Sequence, residues 1–141
     1  MLKKSFGEKG SMLVEAALVT PLMLILLAGI IQFGFILNAK IAVNAASYEA
    51  ARTATLSQDP VSKAIEAAQG YASGTLPGWS TDERLRVDVI LSGTDPYDMV
   101  KVNVDYSVPV FFSNIIQLED DPGSGQIRVT GTSSMRIEEK S

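Results

Sequence analysis

Residues 16–37 read AALVTPLMLILLAGIIQFGFIL, a run with no charged side chain and only Thr20 and Gln32 as polar interruptions. At ~1.5 Å per residue a helix of this length extends about 33 Å, enough to cross a hydrocarbon core of ~30 Å. A helix in a soluble core keeps one polar face, and this run has none. It reads as a membrane-spanning helix. The stretch before it carries Lys3, Lys4 and Lys9 against Glu8, whereas only Lys40 lies close on the far side. That asymmetry orients the N-terminus to the cytoplasm and the C-terminal part outside it. A cleaved secretory signal is the competing reading. Its apolar core would be ~7–15 residues long, and the nearest small-residue site here, Val43-Asn44-Ala45, lies well downstream.

Beyond the run, residues 38–56 read NAKIAVNAASYEAARTATL, rich in alanine and free of Gly and Pro, so the helix should continue. Ala42, Ala46, Ala50 and Ala54 recur at i, i+4 and form a smooth packing ridge. Ile41, Val43 and Tyr48 are expected to pack on the chain's own sheet. Asp59-Pro60 offers an N-cap and a first-turn proline for a second helix, with Val61, Ile65, Ala68 and Ala72 on one face and Gly74, Pro77 and Gly78 ending it.

Three alternating stretches follow, over residues 84–92, 99–108 and 126–137. Their apolar faces are Leu85, Val87, Val89 and Leu91; then Val100, Val102, Val104, Tyr106 and Val108; then Ile127, Val129, Met135 and Ile137. The expected fold is α+β: a long membrane-spanning helix continuing into a small extracytoplasmic domain with a short helix and a three-stranded antiparallel sheet. One face of that sheet would be covered by the upper part of the helix, a lollipop layout. The expected organisation is a basic leader over 1–10, a long helix over 11–57 with its membrane span at 16–37, and a small domain over 58–141.

The 141 residues include no cysteine and no histidine, which excludes disulfides, thiolate nucleophiles and His-based acid/base pairs. Formal net charge is −4, and the leader holds +2 of it, so residues 11–141 carry −6, an unfavourable balance for binding nucleic acid. There is no G-x-S-x-G motif and no phosphate-cradling glycine loop. Lys63 and Lys101 could form Ser-Lys dyads only in principle, because an exposed lysine stays protonated. The chain reads as non-enzymatic and without a cofactor. Glu119, Asp120 and Asp121, beside a Gly-rich turn, are candidate calcium ligands, but they lack a calcium-loop spacing, and a solvated acidic turn is the default for them as for Asp95 and Asp98. The apolar stretch 109–118 reads as core or a short buried helix, with a contact surface for a subunit or membrane as the alternative.

Glu15 stands at the edge of the apolar run, where an ionised carboxylate is costly unless paired or held at headgroup level. Its setting is Lys9-Gly10-Ser11-Met12-Leu13-Val14-Glu15: a basic residue and a glycine, then a small residue, then glutamate fifth after the glycine. This resembles the processing motif of type IV pilin-like precursors, which a prepilin peptidase cuts after the glycine. Together with Thr20-Pro21 and the small-residue continuation ending Glu49-Ala50-Ala51-Arg52, the segment resembles the TadE-like pseudopilins, or minor pilins, of the tight-adherence (Flp-type, type IV) pilus assembly system. Ala16 stands where family members often carry an aromatic, and Ser11 where the wider pilin class often has Phe.

The resemblance implies cleavage between Gly10 and Ser11 and a structural role in pilus assembly and cell adhesion. It also implies pairing of Glu15 with a neighbouring subunit's terminal amine, and a helix kink at Pro21. The implied partners are the prepilin peptidase, other pilin or pseudopilin subunits, the Tad secretion machinery and membrane lipid. The implied location is the cell membrane as a single-pass protein, then the surface pilus. The alternative is a permanently anchored extracytoplasmic binding or accessory module that is not processed.

Overall fold

The structure, a computed structural model, describes residues 4–76, 81–93, 99–110 and 125–137. It is built from a helix α1 (Lys4–Leu56), a helix α2 (Pro60–Thr75), a single turn α3 (Thr81–Arg84), and strands β1 (Leu85–Ser92), β2 (Met99–Pro109) and β3 (Gln126–Arg136). Contacts divide the chain into two compact units, Met1–Gly34 and Phe35–Ser141. The fold is the α+β arrangement expected: a long apolar N-terminal helix, a short helix and a three-stranded antiparallel sheet in the order β1-β2-β3.

In the first unit α1 has no core to serve. Leu18, Leu22, Met23, Leu24, Ile25 and Leu26 are each 60% exposed or more. Exposure of large aliphatic side chains all round a helix is tolerable only where lipid or other protein covers them. Among the described residues α1 is one helix long and apolar enough to cross a membrane.

In the second unit the alternation of β2 sets the core. Val100, Val102, Val104, Tyr106 and Val108 are buried, and Lys101, Asn103, Asp105 and Ser107 face the other way. A central strand with five inward apolar residues must be covered. The same buried cluster contains Ala39, Ala42, Val43, Ala46, Ala50, Ala51 and Ala54 of α1 and Ala64, Ala68 and Ala72 of α2. The ridge Ala42, Ala46, Ala50, Ala54 is therefore buried. Alanine carries no side-chain bulk past Cβ, so two helices lined with it can approach a sheet of valines closely. Ile41 and Tyr48 do not join them: at 67% and 57% exposure they lie on the helix face away from the core. In α2 Ala68 and Ala72 are buried as expected, but Val61 is exposed and Ile65 half-buried, and Ala64 takes the buried place in the first turns.

Local chemistry places α2. The Asp59 carboxylate accepts from the Ser62 N–H at 3.3 Å, Pro60 fills the first turn, and the Leu76 N–H closes the end on the Ala72 carbonyl at 2.9 Å. Asp59 thus satisfies one of the donors that every helix start leaves open. The exposed Lys63 ammonium sits 2.6 Å from Glu66, and this hydrogen bond, with the carboxylate's charge, raises the Lys63 pKa. Any stability from the pair is present below the ordinary lysine pKa and fades as pH rises through the folded-state value; at an exposed site it is small.

The closest crossing lies over β3. A Cβ built on Gly131 would stand 2.3 Å from the Val43 carbonyl oxygen and 2.7 Å from the Asn44 nitrogen. Only a residue without Cβ lets the helix backbone pass there. One turn earlier the Lys40 ammonium donates to the Thr130 carbonyl. At the start of β3 the Val110 N–H bonds the Gly125 carbonyl at 2.9 Å, so odd-numbered residues of β3 face β2 and even-numbered ones such as Thr130 open outward. Lys40 therefore occupies part of an edge that would otherwise offer unpaired backbone groups.

Gly131→Ala should lower the stability of the full chain in detergent by ~3 kcal/mol or more, because the obstructing atoms are backbone and cannot step aside. Gly70→Ala in α2, where nothing lies within 4 Å of the new Cβ, should instead stabilise by ~0.5–1 kcal/mol. Thermal unfolding followed by circular dichroism measures both.

Candidate processing and assembly site

The residues that the sequence singles out near the N-terminus all lie on α1. The helix runs without a break from Lys4 through Gly10, Ser11, Glu15 and Pro21. Gly10, Ser11, Glu15 and Pro21 are exposed, and nothing lies within 4 Å of a Cβ built on Gly10. Ser11 and Glu15 are four residues apart, which on a helix puts them on one face a turn apart, with ~6 Å of rise between them. A terminal amine at Ser11 would thus lie one turn from a carboxylate on the same exposed face. No other side chain of the described residues forms an ion pair with Glu15; the ion pairs there are Glu49 with Arg52 and Lys63 with Glu66.

Pro21 has no N–H, so the Ala17 carbonyl loses its usual helical donor. One residue earlier the Thr20 hydroxyl donates to the Ala16 carbonyl at 2.7 Å. A back-bonded threonine before a proline loosens the backbone ladder of that turn, yet the helix continues through it.

At the other end of this segment, Glu49-Ala50-Ala51-Arg52 divides cleanly. Ala50 and Ala51 are wholly buried, and Glu49 and Arg52 meet on the outside at 3.9 Å. The small pair is there for the core, and the charged pair is a solvent-facing i, i+3 contact of little energy.

Among the described residues no group of three His, Cys, Asp or Glu could hold a metal ion. Glu119, Asp120 and Asp121 lie outside the described residues, as do Asp95, Asp98, Pro77, Gly78 and positions 111–118 of the apolar stretch. Sequence reasoning missed Lys40 as a tie to the sheet and Gly131 as the crossing point. A glycine inside an alternating strand was the available signal for the second.

Glu15→Gln should leave the melting midpoint of the 35–141 unit unchanged, within the ~0.5 kcal/mol expected of a surface substitution. Circular dichroism of the full chain in detergent reads this, and an unchanged midpoint would separate any assembly defect of this variant from misfolding.

Residues 10–52 match the family model of the TadE-like protein. The match begins at Gly10 and ends at Arg52, so it takes in the glycine, the carboxylate, the Thr-Pro pair and the buried alanines, and it covers neither α2 nor the sheet. No curated protein and no solved structure matches the chain significantly. The family is one of pilin-like proteins associated with the Tad pilus, structural rather than enzymatic. Over residues 10–52 the chain is similar to the TadE-like family, the resemblance that its Gly10, Glu15 and Thr20-Pro21 pattern implied.

Proposed function

We propose that the chain is a pilin-like structural subunit, a minor pilin or pseudopilin, that takes part in assembling a type IV pilus of the Tad/Flp kind. The observation that carries this is the conjunction on one helix: Gly10, Ser11 and Glu15 exposed at its start, and an apolar surface exposed among the described residues. The family match over the same residues supports it.

The steps follow from the chemistry of those residues. The chain is inserted with its lysine-rich leader in the cytoplasm and the 35–141 unit outside. A prepilin peptidase hydrolyses the peptide bond after Gly10, and Ser11 becomes the terminal residue with a free amine. Each of the two charges, that amine and the Glu15 carboxylate, is costly at the hydrocarbon boundary, and each costs less beside the other. Pairing between neighbouring subunits sets an axial register, while the exposed aliphatic surface exchanges lipid for neighbouring helices. The loosened turn at Thr20-Pro21 lets the helix adjust as it leaves the bilayer.

The partners in this scheme are the peptidase, other pilin or pseudopilin subunits and the Tad secretion machinery. The 35–141 unit argues for a minor subunit, because major Flp-type pilins are little more than the helix.

The decisive measurement is the N-terminus of the mature chain in its native host, read by mass spectrometry. A start at Ser11 that disappears when the prepilin peptidase is deleted is the expected result. A chain that still begins at Met1 would mean a permanent anchor carrying an accessory module. In sheared surface fractions the wild-type chain should be recovered and Glu15→Gln strongly depleted.

A further inference from the structure

The bond that the proposed function cuts lies inside a helix. α1 runs unbroken from Lys4, so Gly10 and Ser11 stand about two turns from its start. In such a helix each N–H donates to the carbonyl four residues back. The Gly10 carbonyl therefore accepts from the Val14 N–H, and the Ser11 N–H donates to the Gly7 carbonyl. Both polar groups of the peptide unit joining Gly10 to Ser11 are already taken.

A hydrolase cannot work on that conformation. Hydrolysis adds the hydroxyl of a water to the Gly10 carbonyl carbon, breaks the C–N bond and leaves the remaining proton on the Ser11 nitrogen. Negative charge grows on the carbonyl oxygen as the water adds, and donors of the enzyme must reach it. An enzyme that holds a peptide by its backbone also needs groups that a helix keeps for itself. The first turns must open before the bond is cut.

Opening is cheap from one side only. A helix start unwinds easily, because its first N–H groups have no partner within the helix to lose. From Ala16 onward the run is uncharged, and in hydrocarbon no water replaces a broken backbone bond. Gly7 and Gly10 both fall in the part that must open, and glycine is the poorest helix former after proline. Packing does not call for glycine at 10, since nothing lies within 4 Å of a Cβ built there. Gly7 stands one turn ahead of the cut bond, at the acceptor of the Ser11 N–H.

We propose that the start of α1 is a latch on its own processing: the peptidase cuts only chains whose first turns have unwound, and Gly7 is a positioning residue that sets how often they do. Where opening and closing are fast beside cleavage, the rate follows the open fraction. The turns beyond Glu15 stay wound throughout.

This inference rests on cleavage after Gly10, as in the proposed function. The full chain is reconstituted in phospholipid vesicles with the prepilin peptidase of its host, and mass spectrometry times the appearance of a chain starting at Ser11. Hydrogen exchange of the uncut chain, without peptidase, reads the amides of residues 11–14.

Gly7→Ala should slow cleavage about fivefold and slow exchange by a similar factor, from the helix preference of alanine over glycine. The double variant Gly7→Ala/Phe6→Gly should recover most of both, because a glycine beside position 7 loosens the same turn. A Gly7→Ala chain cut as fast as wild type would overturn the latch. So would slow cleavage that Phe6→Gly does not rescue although exchange recovers, since Gly7 would then be read by the peptidase itself. Wild-type chain left uncut by an active peptidase would overturn the processing reading, and the latch with it.

Discussion

The second unit depends on one close approach, the backbone of α1 passing over β3 at Gly131. A helix normally rests on a sheet through its side chains. Here the Val43 carbonyl lies where a Cβ of residue 131 would be, so the two backbones are in contact. That proximity explains the alanine content of the helix. At so short a separation, larger side chains at 42, 46, 50 and 54 would hold the helix off the sheet, and the valines of β2 would lose their cover. The sheet supplies the bulk with Val100, Val102 and Val104, each wholly buried, and the helices supply smoothness. Ser47, the one buried polar residue among the described residues, fits because its hydroxyl bonds the Asn44 carbonyl of its own helix at 2.8 Å.

This division of labour has a consequence for the rest of the surface. With the inward face of the sheet committed to α1 and α2, the other face is mostly polar, with Ile90 and Met99 as exposed apolar exceptions. Thr132 donates to Asn103 across the β2–β3 pair at 3.0 Å, and Thr130 donates to Asp105 in the next row. Such cross-strand pairs steady a solvated sheet face without adding apolar surface. Among the described residues most of the exposed large apolar side chains lie on α1, where a membrane or another helix can use them.

The elements with strong periodicity were legible in the sequence. The uncharged run, the ridge of alanines, the Asp59-Pro60 start of α2 and the alternation of β2 all rest on local rules, and the structure follows each. The misses arose where a side chain had two plausible faces. Ile41 and Tyr48 look like core residues by hydrophobicity, but the ridge had already claimed the packing face, and a helix buries only one. On α2 Ala68 and Ala72 are buried as expected, but Val61 and Ile65 yielded to Ala64 for the related reason that close packing selects small residues over bulky ones. Lys40 could not be placed, since its partner is a carbonyl ninety residues away. The chemistry of the N-terminal site was legible only as a pattern. Gly10, Ser11 and Glu15 are exposed, so their meaning lies in what would meet them from outside.

That separation between a packed domain and an unpartnered helix is itself informative about energetics. In a self-contained protein the most hydrophobic segment forms the core; here it stays exposed, and a modest alanine–valine core holds the domain. The large free energy available from covering the apolar surface before residue 35 is therefore not used in folding the domain. It remains for lipid while the chain is stored, and for neighbouring helices if it assembles. Because lipid and apolar side chains cover that surface about equally well, exchanging one for the other is nearly neutral, and small polar terms can decide the direction. In the proposed scheme the Glu15 carboxylate and an amine freed at Ser11 would be terms of that kind, costly alone at the hydrocarbon boundary and tolerable together, with the amine entering the balance only on cleavage.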